Sequence, residues 1–267
     1  MYMSSLCCVT AFVDIDRSNW DDFARPTSEY LQRFRRLLQQ PQDLVVFIDA
    51  RLLEPVIEMA KARLESGNSS VTQVVPVDPE FLLEHVHAFS KVEADAAVMR
   101  SDAYRARIRH RSKHPEHCNP LYTAVNHAKI DFVAFAASMF GDKYSHFAWV
   151  DFGLAAEDAV CTGRPLDIAK FVADKANYVC INVPEPEDAD PLHTLVSARE
   201  VVAGGFFCIP KGLIGEHQAE YHRTCDRLRA LGIADDDQAI VVNMHARMPE
   251  RFALHRGDYR TALAQFS

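Results

Sequence analysis

Read as a pattern of apolar and polar positions, the chain opens with a nearly unbroken apolar stretch, residues 6–15, rich in β-branched side chains and ending in a polar turn around residues 16–19. Such a run bounded by turn residues predicts a strand. From residue 29 to 38 the period changes. Tyr30, Leu31, Phe34, Leu37 and Leu38 recur at helical spacing, with Arg33, Arg35 and Arg36 on the other side, the pattern of an amphipathic helix. Residues 44–49 form a short continuous apolar run, the mark of a strand covered on both faces. Residues 53–64 are helical again, and after the Gly67-Asn68-Ser69-Ser70 turn residues 71–77 predict a third strand. Strands and helices alternating in this order predict α/β layering around a mostly parallel sheet.

Residues 81–117 are less regular, charged and histidine-bearing, and read as helices and a loop. Residues 121–140 predict one long helix whose apolar face is Leu121, Val125, Ala128, Phe132, Phe135 and Met139, stopped by Gly141. Residues 146–150 then predict a strand emptying into Asp151-Phe152-Gly153, and residues 178–183 and 201–209 predict two more, separated by the acidic, proline-bearing stretch 184–191. No internal repeat interrupts the 267 residues, a length that suits a single domain.

Composition narrows the functional classes. Hydrophobic residues make up 48% and charged residues 25%, which excludes disordered, collagenous and coiled-coil proteins. A formal charge of -8 argues against general nucleic-acid binding by phosphate neutralisation. The local basic run Arg105, Arg107, Arg109, Arg111 and Lys113 reads as a solvated surface or as a contact for an anionic acceptor. The longest membrane candidate, residues 132–140, is interrupted by Ser138 and falls short of the ~18 residues a span needs. The opening Met-Tyr-Met-Ser-Ser carries no positive charge, and the seven scattered cysteines lack CxxC spacing; together they predict a reducing, cytoplasmic setting.

Several residues carry candidate chemistry. A strand that ends in an acid and a glycine sets the Asp151 carboxylate at the carboxyl end of the sheet, where open α/β folds bind ligands. There it suits a Mn²⁺ or Mg²⁺ ion shared with substrate phosphates, or else it closes a turn. Asp-Phe-Gly is not a kinase signature here, because no glycine-rich loop or His-Arg-Asp motif precedes it. Tyr122, Asn126 and Lys129, at i, i+4 and i+7, form one stripe on the preceding helix. On a partly exposed flank, Lys129 could reach a phosphate and Asn126 a sugar hydroxyl. Asp235, Asp236 and Asp237 precede an apolar run, with Asp235 and Gln238 spaced as a capping box. Asp237, with Asp236 next in line, also suits a general base acting on an acceptor hydroxyl. Gly204-Gly205 marks a close backbone approach to a strand or ligand. His110, His114, His117 and Cys118 have ligand chemistry but no zinc spacing.

In chain order, residues 9–17, Tyr30 with Phe34, Asn119-Pro120-Leu121-Tyr122 with Asn126 and Lys129, and Trp149-Val150-Asp151-Phe152-Gly153 resemble the HtrL/YibB family of bacterial proteins. So do Gly204-Gly205-Phe206-Phe207, Asp236-Asp237-Gln238 and Pro249-Glu250-Arg251-Phe252. The resemblance implies a GT-A-like, Rossmann-type glycosyltransferase with a nucleotide-sugar-binding half near 1–150 and an acceptor and catalytic half near 151–267. It implies a nucleotide-sugar donor, a UDP-sugar first, held near Asp14, Arg17, Tyr122, Asn126, Lys129, Asp151, Gly204 and Gly205. The implied acceptor is a glycan hydroxyl, with lipopolysaccharide as the example and a peripheral inner-membrane location. Gly153 replaces the second acid of the usual metal motif, so either a second metal ligand comes from elsewhere, for instance His245 or Asp237, or metal dependence is weak. A metal-dependent phosphoesterase or nucleotidyltransferase, and a non-catalytic nucleotide- or glycan-binding protein, are the competing readings.

Overall fold

A computed structural model describes residues 5–197 and 199–267; the uncharged opening Met-Tyr-Met-Ser lies outside the described residues. Among the latter, seven strands make one sheet: β1 (Leu6–Phe12), β2 (Asp43–Asp49), β3 (Thr72–Val77), β4 (His146–Val150), β5 (Ala176–Cys180), β6 (Val202–Pro210) and β7 (Phe252–Arg256). Their order is β3-β2-β1-β4-β6-β5-β7. All neighbours run parallel except β6, which is antiparallel to both β4 and β5. The mostly parallel α/β sheet expected from the alternation is therefore present. Pro76, which has no N–H to offer a ladder, sits in β3 at the sheet's outer edge.

The helices are α1 (Thr27–Leu37), α2 (Leu53–Glu65), α3 (Pro79–His85), α4 (Val92–Arg100), α5 (Asp102–Arg107), α6 (Pro115–Cys118), α7 (Pro120–His127), α8 (Lys129–Phe140), α9 (Pro191–Ser197), α10 (Ile214–Ala230) and α11 (Asp237–Arg247). They cover both faces of the sheet, and the strand sequences show why. In β1, Cys7 and Val9 join one buried cluster with Phe47, Phe132, Trp149 and Phe207, while Leu6, Cys8 and Phe12 join another with Phe34, Ile48, Phe152 and Phe206. Alternate side chains of a strand point to opposite faces, so two buried faces require apolar residues at every position. The continuous runs are the result.

Several boundaries differ from expectation. The first strand stops at Phe12, and the predicted strand 178–183 begins at Ala176 and ends at Cys180. The single helix 121–140 is two, α7 and α8, joined at Ala128, whose ψ of −16° departs from ideal α geometry. His127 on one side bonds Tyr221 of α10, and Lys129 on the other turns toward β6. The predicted apolar face is only partly buried: Ala128 and Phe132 are in the core, but Leu121 and Met139 are exposed. The stretch 184–191 is not a plain loop, because it folds into a short 3₁₀ turn leading into α9. No helix among the described residues is long and apolar enough to cross a membrane.

Candidate functional site

Between β1 and β4 the strand order changes direction: β2 and β3 continue to one side of β1, and β6, β5 and β7 lie beyond β4. A crevice outside the carboxyl ends of two such strands is the default ligand site of an open α/β sheet. It exists here. A cleft of about 180 Å³ is bounded by Val13, Asp14 and Arg17 after β1, by Asp151 and Gly153 after β4, and by Tyr122, Asn126 and Lys129 from α7 and α8. The stripe expected at i, i+4 and i+7 thus faces the cleft as a unit.

Lys129 is not on a partly exposed flank; only 6% of it is exposed. Its Nζ donates to the Gly204 carbonyl at 3.0 Å and to Asp237 Oδ2 at 2.8 Å, and lies 3.3 Å from Asp151 Oδ1. Burial opposes its charge, but Asp151 and Asp237 outweigh that and hold the ammonium more firmly protonated than usual. Asp151 is further fixed by Trp149 Nε1, which donates to Oδ1 at 2.6 Å, and its N–H donates to the Gly205 carbonyl at 2.9 Å. The glycine pair makes this possible. A Cβ on Gly204 would stand 2.5 Å from Asp237 Oδ2, and one on Gly205 would stand 3.0 Å from Leu154 and 3.3 Å from Tyr259, with Asp151 at an ordinary contact distance. The close approach of Gly204 is to the acid cluster, and that of Gly205 is to the apolar side of the cleft, at Leu154 and Tyr259.

Asp237 is buried and engaged with Lys129, so the geometry withdraws it from the base role expected of it. Asp236 is half-buried and caps α11: its Oδ1 accepts from the Gln238 N–H at 3.0 Å. The cap is therefore Asp236, and Asp235 instead accepts from the Asp236 N–H at 2.9 Å. Burial and the neighbouring Asp237 charge push the Asp236 carboxyl up to about 7. Burial and the Asp236 charge drive Asp235 well above the usual carboxylate range. Asp236 lines a second cavity of about 300 Å³, which shares Arg17 and Tyr122 with the first as lining residues.

Arg17 donates from Nε to the Phe23 carbonyl and from Nη1 to the Tyr30 hydroxyl, both at 2.9 Å, and faces the rings of Trp20 and Tyr122. Among the described residues it has no carboxylate partner. Burial, with the Asp236 charge behind it, pushes the Tyr122 phenol up to about 12. Asn126 donates from Nδ2 to the Tyr122 carbonyl at 3.0 Å. Asp14 accepts from the Asp16 N–H at 2.9 Å and lies 3.9 Å from Arg51. Sequence reasoning missed Arg25 and Thr27, which also line the first cleft at the start of α1. Their signal was Arg25-Pro26-Thr27 immediately ahead of a helical period.

A resident divalent ion does not fit these residues. Lys129 already lies between the two acids, and among the described residues no three His, Cys, Asp or Glu side chains come together as metal ligands. His245 is not brought to the cluster: eight residues along α11 from Asp237, about 12 Å at 1.5 Å per residue, it packs against Phe252. The four zinc-type residues disperse as well. His110 faces the Val196 carbonyl, His114 Glu116, and His117 Tyr104, while Cys118 donates to the Lys113 carbonyl. In the basic run, Arg107 turns to the carbonyls of residues 231 and 232, Arg111 to Glu116 and Lys113 to Asp22.

Comparison with solved structures finds the crystal structure of mouse xyloside xylosyltransferase 1 in its apo form, 11% identical, with a TM-score of 0.42 over 94% of this chain and 84% of that one. No curated protein matches. The family model HtrL_YibB, described as a bacterial protein of unknown function, matches residues 4–267. A match across nearly the whole chain carries the conclusion that this protein belongs to the HtrL_YibB family.

Proposed function

We propose that the chain is a glycosyltransferase that moves a sugar from a nucleoside diphosphate sugar, with UDP as the nucleotide, to the hydroxyl of a glycan. The observation that carries this reading is the pair of neighbouring cavities that share Arg17 and Tyr122. One sits at the switch point of the sheet beneath a cation without a carboxylate partner, and the other holds a half-buried carboxylate raised to near neutrality. A transferase needs both compartments at once, one for the donor and one for the acceptor.

In this reading the donor lies in the first cleft. Arg17 faces the diphosphate and stabilises the charge that develops on it as the sugar leaves. Asp14, Asn126 and Tyr122 offer hydrogen bonds to ribose and sugar hydroxyls. Lys129 holds Asp151 and the Gly204 carbonyl in place, so its part is positioning and not phosphate binding. For an inverting reaction, the acceptor oxygen bonds to the anomeric carbon, the bond from that carbon to the diphosphate oxygen breaks, and Asp236 takes the hydroxyl proton. A retaining reaction would not use that base. No step here requires a metal. The phosphoesterase reading has less support, since it needs a divalent ion among acids that Lys129 already neutralises.

A panel of UDP-, GDP-, CDP- and dTDP-sugars tests the proposal by thermal shift and nucleotide release. A UDP-sugar should raise Tm, by the equivalent of about 2.7 kcal/mol at 100 times Kd, and Arg17→Ala should weaken its binding at least tenfold. Attack at phosphorus instead of the anomeric carbon would favour the phosphoesterase, binding without turnover the non-catalytic reading, and no shift with any donor would overturn the proposal.

A further inference from the structure

The second cavity has a chemistry of its own. Its cations are mostly spent. Arg111 is paired with Glu116 at 2.9 Å, and Arg199 is paired with Asp188 and Glu185. Arg17, the exception, also lines the first cleft. Glu200 also lines the wall and meets a phosphate or carboxylate with like charge, while Asp235 and Asp236, which hold their protons more firmly than usual, face a ligand as hydrogen-bonding groups. The wall also presents groups that seek hydroxyls. Gln238 lines the cavity, and its Oε1 is buried without a hydrogen-bond partner, a state that a donor would relieve. Asp236 accepts through both oxygens from Gln238 alone, at 3.0 and 3.3 Å. Tyr122 and Tyr259 add aromatic walls with phenol groups at their tips.

Orphaned acceptors, aromatic walls and self-neutralised arginines describe a site for hydroxyl donors without charge. We infer that this cavity is the acceptor subsite and that it takes a neutral, polyhydroxylated glycosyl unit, with Gln238 Oε1 receiving one of its hydroxyls beside Asp236. The inference rests on the glycosyltransferase reading for the word acceptor, but the binding it asserts does not depend on any donor.

Saturation-transfer NMR on the full chain without nucleotide provides the test, using methyl glycosides of glucose, galactose and mannose against glucuronate and glucose 6-phosphate. At least one neutral glycoside should bind, the two anionic sugars should bind tenfold or more weakly, and Gln238→Leu should weaken the neutral ligand about tenfold. Preference for the anionic sugars, no binding of any glycoside, or an unchanged affinity in a folded Gln238→Leu protein would each overturn the inference. The comparison of wild-type ligands stands even if the variant fails to fold. Neutral-sugar binding combined with a flat nucleotide-sugar screen would retire the transferase proposal and leave the sugar subsite standing.

Discussion

At the scale of single residues, Lys129 is where the site and the fold meet. An ammonium removed from water is tolerated only with partners, and this one has two carboxylates and a carbonyl. Lys129→Ala would leave Asp237 buried and uncompensated, so it should cost about 3–5 kcal/mol in chemical denaturation. Loss of less than 1 kcal/mol would mean that the ion triad does not form. Asp236 makes the opposite prediction. Its carboxyl is raised to about 7, so the folded state holds that proton more tightly than the unfolded state. The resulting stability is full in acid, below the ordinary value near 3.9, and is lost as the pH climbs through about 7. Asn caps a helix as well as Asp but has no charge to bury. Asp236→Asn should therefore gain a few degrees of Tm over wild type at pH 8 and little at pH 5, while acceptor-dependent transfer collapses. Equal Tm differences at both pH values would remove the titration from Asp236.

At the scale of elements, β6 does more than fill the sheet. Running against its neighbours, it brings Gly204 against Asp237 and Gly205 against Leu154 and Tyr259, where a side chain would be crowded. Gly204→Ala should destabilise by about 1–3 kcal/mol, the usual range for overpacking, and should also disturb donor binding by displacing Asp237. Urea denaturation alongside the donor titration checks both. The glycine pair was legible as a close approach, and β1, β2, β4 and β6 were legible because burial on both faces leaves continuous apolar runs. Among elements of mixed polarity, β3 and α1 were legible from their turn and period, but β7 and α10 were not. β7, Phe-Ala-Leu-His-Arg, has one well-buried residue, and α10 carries many charges on its outer side, so neither stands out as a period. The stripe Tyr122, Asn126 and Lys129 was readable from local spacing. The destination of Lys129 was not, because its partners Gly204 and Asp237 lie 75 and 108 residues further on. No local pattern encodes a contact of that range. His245 failed for the converse reason: it is close to Asp237 in sequence, yet the rise of α11 carries it away.

At the scale of the whole molecule, the sheet takes β1 to β4 from the first 150 residues and β5 to β7 from the rest, with β4 paired to β6 across that line. The two cavities straddle the same line, since Arg17 and Tyr122 meet Asp151 in one and Asp236 in the other. The two cavities are thus built on a common sheet, and each draws lining residues from both halves of the chain. An open sheet also has two ends, and an unpaired strand at either is a template on which another chain can build. At the β3 end Pro76 breaks the row of donors that such a growing stack would need. One ring in an outer strand, far from any chemistry, thereby bears on whether the protein stays dispersed when it is concentrated.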